Sequence, residues 1–339
     1  MNFSKMLSLA LGVACAGGLA CGPQSAWASG DGVGILQGNQ PGSFLVFPKF
    51  DIRGDTTTQI RIVNNGWDDV NVKLNYVCPG IKNVNQFCAA LDRMVSLTPH
   101  QTRVIDVVDQ NPPCNQGFVV AYALKEDSSN TAASFNHLTG SYAINSGRRV
   151  ESDNAIGIQS PKPHGEALGS NGMLRFGGSA TNGATDGNGA DYVSLPSKLY
   201  TDFRAITPGE EGVTADQGSV LTLLTLDTLA GQQNPAALAF VDFWNAAEEP
   251  FSSSVEFICW TEKQLDAIDA NFLEENLGTT YGSMKITPAA NCPIPGGCPP
   301  MIPFDATMLG AISEYGDGDT AGRTLLHNDC EKSTQYMPR

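Results

Sequence analysis

Basic side chains are scarce in this sequence: 20 Lys and Arg stand against 35 Asp and Glu, a formal net charge of −15. That balance leaves no positive footprint for a nucleic-acid backbone or an anionic lipid surface, so both are excluded as partners. Charged residues of either sign make up only 16% of the chain while hydrophobic ones reach 41%, which rules out a charge-rich disordered tail and provides for a sizeable core. No stretch beyond the first twenty residues is long and apolar enough to span a bilayer as a helix. Histidine is limited to His100, His137, His164 and His327, far apart along the chain, and His-Glu-x-x-His is absent. Gly-x-Ser-x-Gly, Cys-x-x-Cys and Cys-x-x-Cys-His are missing too, which removes the hydrolase elbow, the dithiol redox pair and haem attachment. No cofactor is expected.

What the sequence does have begins with an address. Lys5, the apolar run from Met6 to Ala20 and the small-x-small triplet Ala26-Trp27-Ala28 read as a secretory signal over residues 1–28, cleaved before Ser29. Leu19-Ala20-Cys21 is a weaker, lipid-anchored cleavage site, because Gly18 stands where a larger aliphatic residue belongs. Export to the periplasm, the cell surface or the medium places the remaining seven cysteines in an oxidising compartment. Short loops favour Cys292 with Cys298 and Cys78 with Cys88, and Cys259 with Cys330 is a long-range tie that leaves Cys114 as the odd thiol. Spacing alone leaves the connectivity open.

Strict alternation in Val70, Val72, Leu74 and Tyr76 against Asp69, Asn71, Lys73 and Asn75 predicts an antiparallel strand with one face in the core. Similar runs at Phe44 to Phe47, Thr58 to Ile62, Val104 to Val108 and Phe118 to Leu124 are separated by turn residues. A second series repeats these landmarks. Thr58 to Val63 corresponds to Leu221 to Leu226, Tyr76 to Phe243 or Trp244, and Phe87-Cys88 to Phe257 with Cys259. Gly117 corresponds to Gly282, and Leu138-Thr139-Gly140 to Met308-Leu309-Gly310, with offsets between 163 and 171 residues. The expected fold is therefore all-β, two tandem antiparallel sandwiches arising by duplication, over residues 29–160 and 191–339. Residues 161–190, rich in Gly, Ser and Pro, read as a linker or long loop. Thr261, Gln264, Leu265, Ile268, Phe272, Leu273 and Gly278 predict one short helix in the second sandwich, with Thr261 as cap and Gly278 as stop. Charge is uneven: residues 29–160 are net −2, with ten basic side chains, whereas residues 205–284 carry 13 acidic groups and only Lys263.

Residues that could carry chemistry are few. Asp317, Asp319 and Gly322, or Asp186, Asn188 and Asp191, begin a calcium loop, but Ala321 and Ala190 stand where oxygen ligands belong, so calcium is only weakly supported. His327 and Cys330 have metal-like spacing without a second ligand pair. Asp242, Glu248 and Glu249 near Trp244 could serve a carboxylate hydrolase. Trp244, Trp260 and Tyr281 could stack on a sugar, although alternation in Phe240 to Trp244 assigns them to core packing.

The runs Ser43-Phe44-Leu45-Val46-Phe47-Pro48, Thr58-Gln59-Ile60-Arg61-Ile62-Val63-Asn64-Asn65, Val70 to Tyr76 and Leu97-Thr98-Pro99 resemble a group of largely uncharacterised exported bacterial proteins with immunoglobulin-like domains. Asn136-His137-Leu138-Thr139-Gly140 and Phe257-Ile258-Cys259-Trp260-Thr261-Glu262 extend the likeness over most of the chain. The resemblance implies immunoglobulin-like sandwiches and export, and carries no site residues. The expected function is non-enzymatic: an envelope, surface or matrix protein acting through association with another protein or with itself. A carbohydrate- or calcium-dependent binding module comes second and a secreted carboxylate hydrolase third.

Overall fold

The computed structural model describes residues 40–79, 88–126, 130–147, 149–169, 172–177, 190–193, 195–209, 217–226, 237–290, 307–316, 320–324, 326–327 and 335–338. In chain order the first half runs β1 (Phe44–Asp51), β2 (Thr57–Asn64), β3 (Val70–Val77), β4 (Ala90–Leu97), β5 (Thr102–Asp106) and the one-turn helix α1 (Val107–Gln110). It continues with β6 (Gln116–Leu124), β7 (Leu138–Asn145), β8 (Val150–Asn154) and β9 (Ile156–Ile158). Two antiparallel sheets result, β4-β3-β6-β1-β9 and β5-β2-β7-β8. After β10 (Met173–Phe176) come β11 (Leu199–Arg204), β12 (Gly218–Leu224), β13 (Ala237–Asn245), β14 (Pro250–Phe257), β15 (Trp260–Gln264) and α2 (Glu274–Leu277). The last strands are β16 (Tyr281–Ala290), β17 (Leu309–Tyr315), β18 (Thr320–Thr324), β19 (Leu326–His327) and β20 (Gln335–Pro338). Their sheets are β14-β13-β16-β11-β19 and β15-β12-β17-β18, while β10 pairs with β20. In the two larger sheets each strand of the second half thus occupies the place of the strand ten earlier in the first.

Each half is a sandwich with its own core. Ile60 and Ile62 of β2 face Leu45, Phe47 and Phe50 of β1 and Val72, Leu74 and Tyr76 of β3, the inward set of the two-residue period. In the second half Leu221 and Leu223 face Phe203, Val241, Phe243 and Ile286. The repeat reaches single residues. Gly117 lies opposite Phe50, and Gly282 opposite Phe203. A Cβ on Gly117 would collide with the Val77 carbonyl and touch the Phe50 ring; one on Gly282 would collide with the Trp244 carbonyl and the Phe203 ring. Both glycines are there because strand and ring come too close for any side chain.

Four of the five sequence landmarks fall on equivalent strands: β2 with β12, β3 with β13, β6 with β16 and β7 with β17. The fifth does not. Cys88 precedes β4 whereas Cys259 follows β14. The predicted helix from Thr261 is also corrected. Thr261 to Gln264 continue β15 because they pair with Val220 to Leu223 of β12. Beyond them the chain breaks into 3-10 turns at Leu265–Ala267 and Ala270–Phe272, where the Asp269 side chain caps the second turn by accepting from the Asn271 N–H at 2.9 Å. Only Glu274–Leu277 is α-helical, and Gly278 ends it at φ 75° as expected. Val107 and Val108, read as the end of a strand, begin α1.

Residues 161–190 are more than a tether. Ala167 bridges to Ala133, Leu168 is buried, and Leu174 and Phe176 of β10 are fully buried against Phe44. That packing explains why β1 and β6 are buried along nearly their whole length on both faces rather than on alternate residues.

Candidate functional site

Three groupings of side chains stand out: the joint between the sandwiches, a loop end bearing histidines, and the outer face of the sheet β14-β13-β16-β11-β19.

The joint is built on an irregularity in β1. Proline has no N–H to donate, and at Pro48 the pairing of β1 with β6 shifts register between Phe47 and Phe50. The freed Pro48 carbonyl accepts the Trp260 indole N–H at 2.9 Å across the boundary. The next residue, Lys49, is 3% exposed, with its ammonium 2.9 Å from Glu151 of β8 and 2.5 Å from Glu262 of β15. Ser313 of β17 donates to Glu151 at 2.6 Å, and Gln116 bridges Glu262 at 3.4 Å and Asp51 at 3.2 Å. Burial alone would favour neutral Lys49, but the carboxylates of Glu262 and Glu151 outweigh it and hold the lysine above its ordinary value. Around this pin, Phe44, Val46, Val120 and Tyr122 on the outer face of the first sandwich share one apolar cluster with Leu224, Leu226, Trp260 and Leu309 of the second.

A disulfide closes the same joint. Cys88 bonds Cys259 with Cα atoms 6.2 Å apart, and Cys78 bonds Cys114 at 5.8 Å. They overturn both the short-loop pairing of Cys78 with Cys88 and the long-range tie of Cys259 with Cys330, and Cys114 is not the odd thiol. Cys78 follows β3 and Cys114 precedes β6, strands adjacent in the sheet although two others separate them in sequence. Cys259 sits at φ 61° in a three-residue turn closed by the Trp260 N–H donating to the Ile258 carbonyl at 2.7 Å. Cys292, Cys298 and Cys330 lie outside the described residues, as do Asp186, Asn188, Asp317 and Asp319. Asp191 is buried and accepts the Arg175 backbone N–H at 2.9 Å. Two disulfides fit an oxidising compartment.

The loop end brings histidines together that are distant in sequence. The rings of His137 and His164 lie 5.7 Å apart with their planes tilted by 57°, each ring 5.2 Å from Phe135, and His164 Nε2 is 3.3 Å from Asp68. His100, at φ 58°, meets the ring of Trp67 edge-on at 4.4 Å, and Trp67 is 83% exposed. No group of three metal-ligating side chains is present among the described residues.

The outer face of the second sandwich corrects the reading of Phe240 to Trp244 as core. Ala239, Val241 and Phe243 point inward, so Phe240, Asp242 and Trp244 point outward. Phe240 is 48% exposed. Lys285, paired with Asp242 in register, bonds its carboxylate at 2.7 Å and lies 6.0 Å from the Trp244 ring; half-buried Tyr200 is opposite Lys285 on β11. Tyr281 is exposed at the end of β16, while Trp260 is buried in the joint. Glu249 accepts from the Asn245 amide at 2.7 Å and Glu248 takes a left-handed φ of 65°, so the Asn245 turn accounts for both acids. On the first sandwich, a pocket of about 190 Å³ is lined by Gln40, Arg61, Val63, Thr102, Thr139, Gly140, Ser141, Asn154 and Ala155.

No protein-family model matches the chain, and no curated protein does. Among solved structures, the crystal structure of Thermotoga maritima 1070 is similar over 36% of this chain and 98% of its own, at 10% identity and a TM-score of 0.27. The naturally empty top component of cowpea mosaic virus is similar over 93% of this chain and 95% of its own, at 7% identity and a TM-score of 0.18. Likenesses this weak identify no relative.

Buried phenols, together with Lys49, predict an alkaline transition. Burial pushes the phenols of Tyr76, Tyr142 and Tyr192 upward, so all three stay protonated in the fold. The unfolded chain loses those protons from about pH 10, and Lys49 in turn loses its charge from about pH 10.4 when unfolded. Both kinds of group bind more protons folded than unfolded at high pH, so stability is full below about pH 10 and falls above it. Tyrosinate absorbance should lag model tyrosine, then rise together with loss of the circular-dichroism signal. A gradual rise at the ordinary phenol pH, with the fold intact, would contradict this.

Proposed function

We propose that the protein is exported and acts without chemistry of its own, as an envelope, surface or matrix component of two immunoglobulin-like sandwiches that binds another protein or itself. One observation carries the reading: the outer face of β13 and β16 presents Phe240 and Trp244 around an Asp242–Lys285 pair, whereas the equivalent positions of the first sandwich, Lys73, Asn75 and Val77, are buried. Burying a phenyl side chain supplies about 1.5–3 kcal/mol, so Phe240 with its neighbours is enough for an anchor. Near-identical strand order in the two halves supports an origin by duplication. The two disulfides support export.

A photo-cross-linking residue placed at Phe240 should capture protein on native cells, while one at Met94, 68% exposed on the edge strand β4, should not. Capture at neither position, together with hydrolysis of a glycan, ester or peptide that an Asp242→Asn or Glu249→Gln variant loses, would sink the proposal. A flat sheet face with Tyr200, Phe240 and Trp244 is also a shape that holds a sugar ring. Calorimetry against polysaccharides decides that second reading: heat that Trp244→Ala abolishes would favour it.

A further inference from the structure

We infer that copies of this chain associate head to tail, the outer face of β13, β16 and β11 in one copy docking on the sheet β5-β2-β7-β8 of the next, over the pocket at Val63, Thr102 and Thr139. This rests on the protein-binding reading of that face and names its partner.

The chain already contains one such contact. Within it, the outer face of β1 and β6 meets the second sandwich through Leu224, Trp260 and Leu309. Register identifies the matching positions on the first sandwich. Leu224 pairs with Trp260 on one side and Leu309 on the other; Val63 pairs with Thr102 on one side and Thr139 on the other. Val63, Thr102 and Thr139 therefore stand where the gripping residues of the second sandwich stand. There they line a pocket instead of filling a joint. The second sandwich, for its part, keeps Phe240 exposed on the face equivalent to the one that is gripped. Projecting rings on one surface and a hollow on the other are complementary in shape.

Charge sets the polarity of the pairing. Inside the chain, Lys49 of the gripped face meets Glu262 of the gripping sheet. Phe50 and Phe203 lie opposite the equivalent Gly117 and Gly282, so the position of Lys49 is held in the second sandwich by Asp202, which is exposed. Thr222, the neighbour of Glu262 across the strands, is matched in the first sandwich by Arg61, also exposed. Between copies the same contact recurs with its signs exchanged, an acid on the gripped face and a base on the gripping sheet. A contact between two different surfaces does not close on itself as a twofold dimer. It builds rings or open filaments.

Sedimentation of the purified mature chain at low salt should show mass rising with concentration. Asp202→Arg or Arg61→Glu alone should weaken association about tenfold or more, and Phe240→Asp likewise. Mixing the Asp202→Arg chain with the Arg61→Glu chain should restore association beyond the dimer, because the exchanged charges attract in one mixed contact and the native Asp202 and Arg61 attract in the other, while each variant repels its own copies. All of these positions are exposed, and unchanged circular dichroism confirms that the variants fold. A monomer at every concentration overturns the inference, and so does association that the charge exchange leaves unaffected. If the chain is monomeric yet the probe at Phe240 captures a different protein on cells, this inference falls and the binding reading stands. If the chain is monomeric, the probe captures nothing and the chain shows the hydrolysis named above, both fall.

Discussion

Lys49→Met is expected to lower the unfolding free energy by about 3–5 kcal/mol, the usual consequence of removing one partner from a buried ion pair and leaving the other charge behind. Here two carboxylates are left, Glu151 and Glu262, which the Lys49 ammonium bridges at 2.9 and 2.5 Å. Since small and mid-sized proteins are stable by only about 5–15 kcal/mol, one substitution would remove a large share. Urea melts at neutral pH measure it. The loss has a specific remedy. Combining Lys49→Met with Glu151→Gln and Glu262→Gln should recover most of the stability, because the amides keep partners in Ser313, Thr222 and Gln116 while no charge remains buried. If the single and triple variants were equally unstable, packing of the lysine stem rather than its charge would be responsible.

Removing the bond between Cys88 and Cys259 should cost about 3–5 kcal/mol, because it closes a loop of 171 residues and so restricts the unfolded chain strongly. The Cys78–Cys114 bond, at a separation of 36, should matter less. The paired test is Cys88→Ala with Cys259→Ala against Cys78→Ala with Cys114→Ala, each followed by urea unfolding. The first pair should also separate the two sandwiches into distinct transitions, whereas the second should lower only the first. Equal losses from both pairs would show that strain or packing outweighs loop entropy.

Much of the architecture was legible in the sequence because period-two alternation is local. β2 and β3 were visible from Thr58 to Ile62 and Val70 to Tyr76, and the repeat was visible because Gly117 and Gly282 answer the same crowding in both halves. What was hidden is non-local. Trp260 and Cys259 sit in a tight turn whose only distinctive feature is a partner on the other sandwich, and a helical spacing of apolar residues after Thr261 obscured β15. Disulfide pairing was misread because β3 and β6 become neighbours through sheet order, not chain order. Lys49 gave one usable signal: a lysine beside a proline inside a run of large apolar residues must either end the strand or meet an acid. The outward direction of Phe240 and Trp244 was a question of phase, since Val241 and Phe243 fit the alternation equally well.

β10 pairs with β20, Met173 opposite Pro338 and Phe176 opposite Gln335, so two strands from distant parts of the chain complete one ribbon. During synthesis the earlier strand emerges long before its partner. Until then its edge is open to whatever strand is nearby. The first sandwich can assemble early, but the ribbon packed on its outer face is complete only once β20 has joined β10.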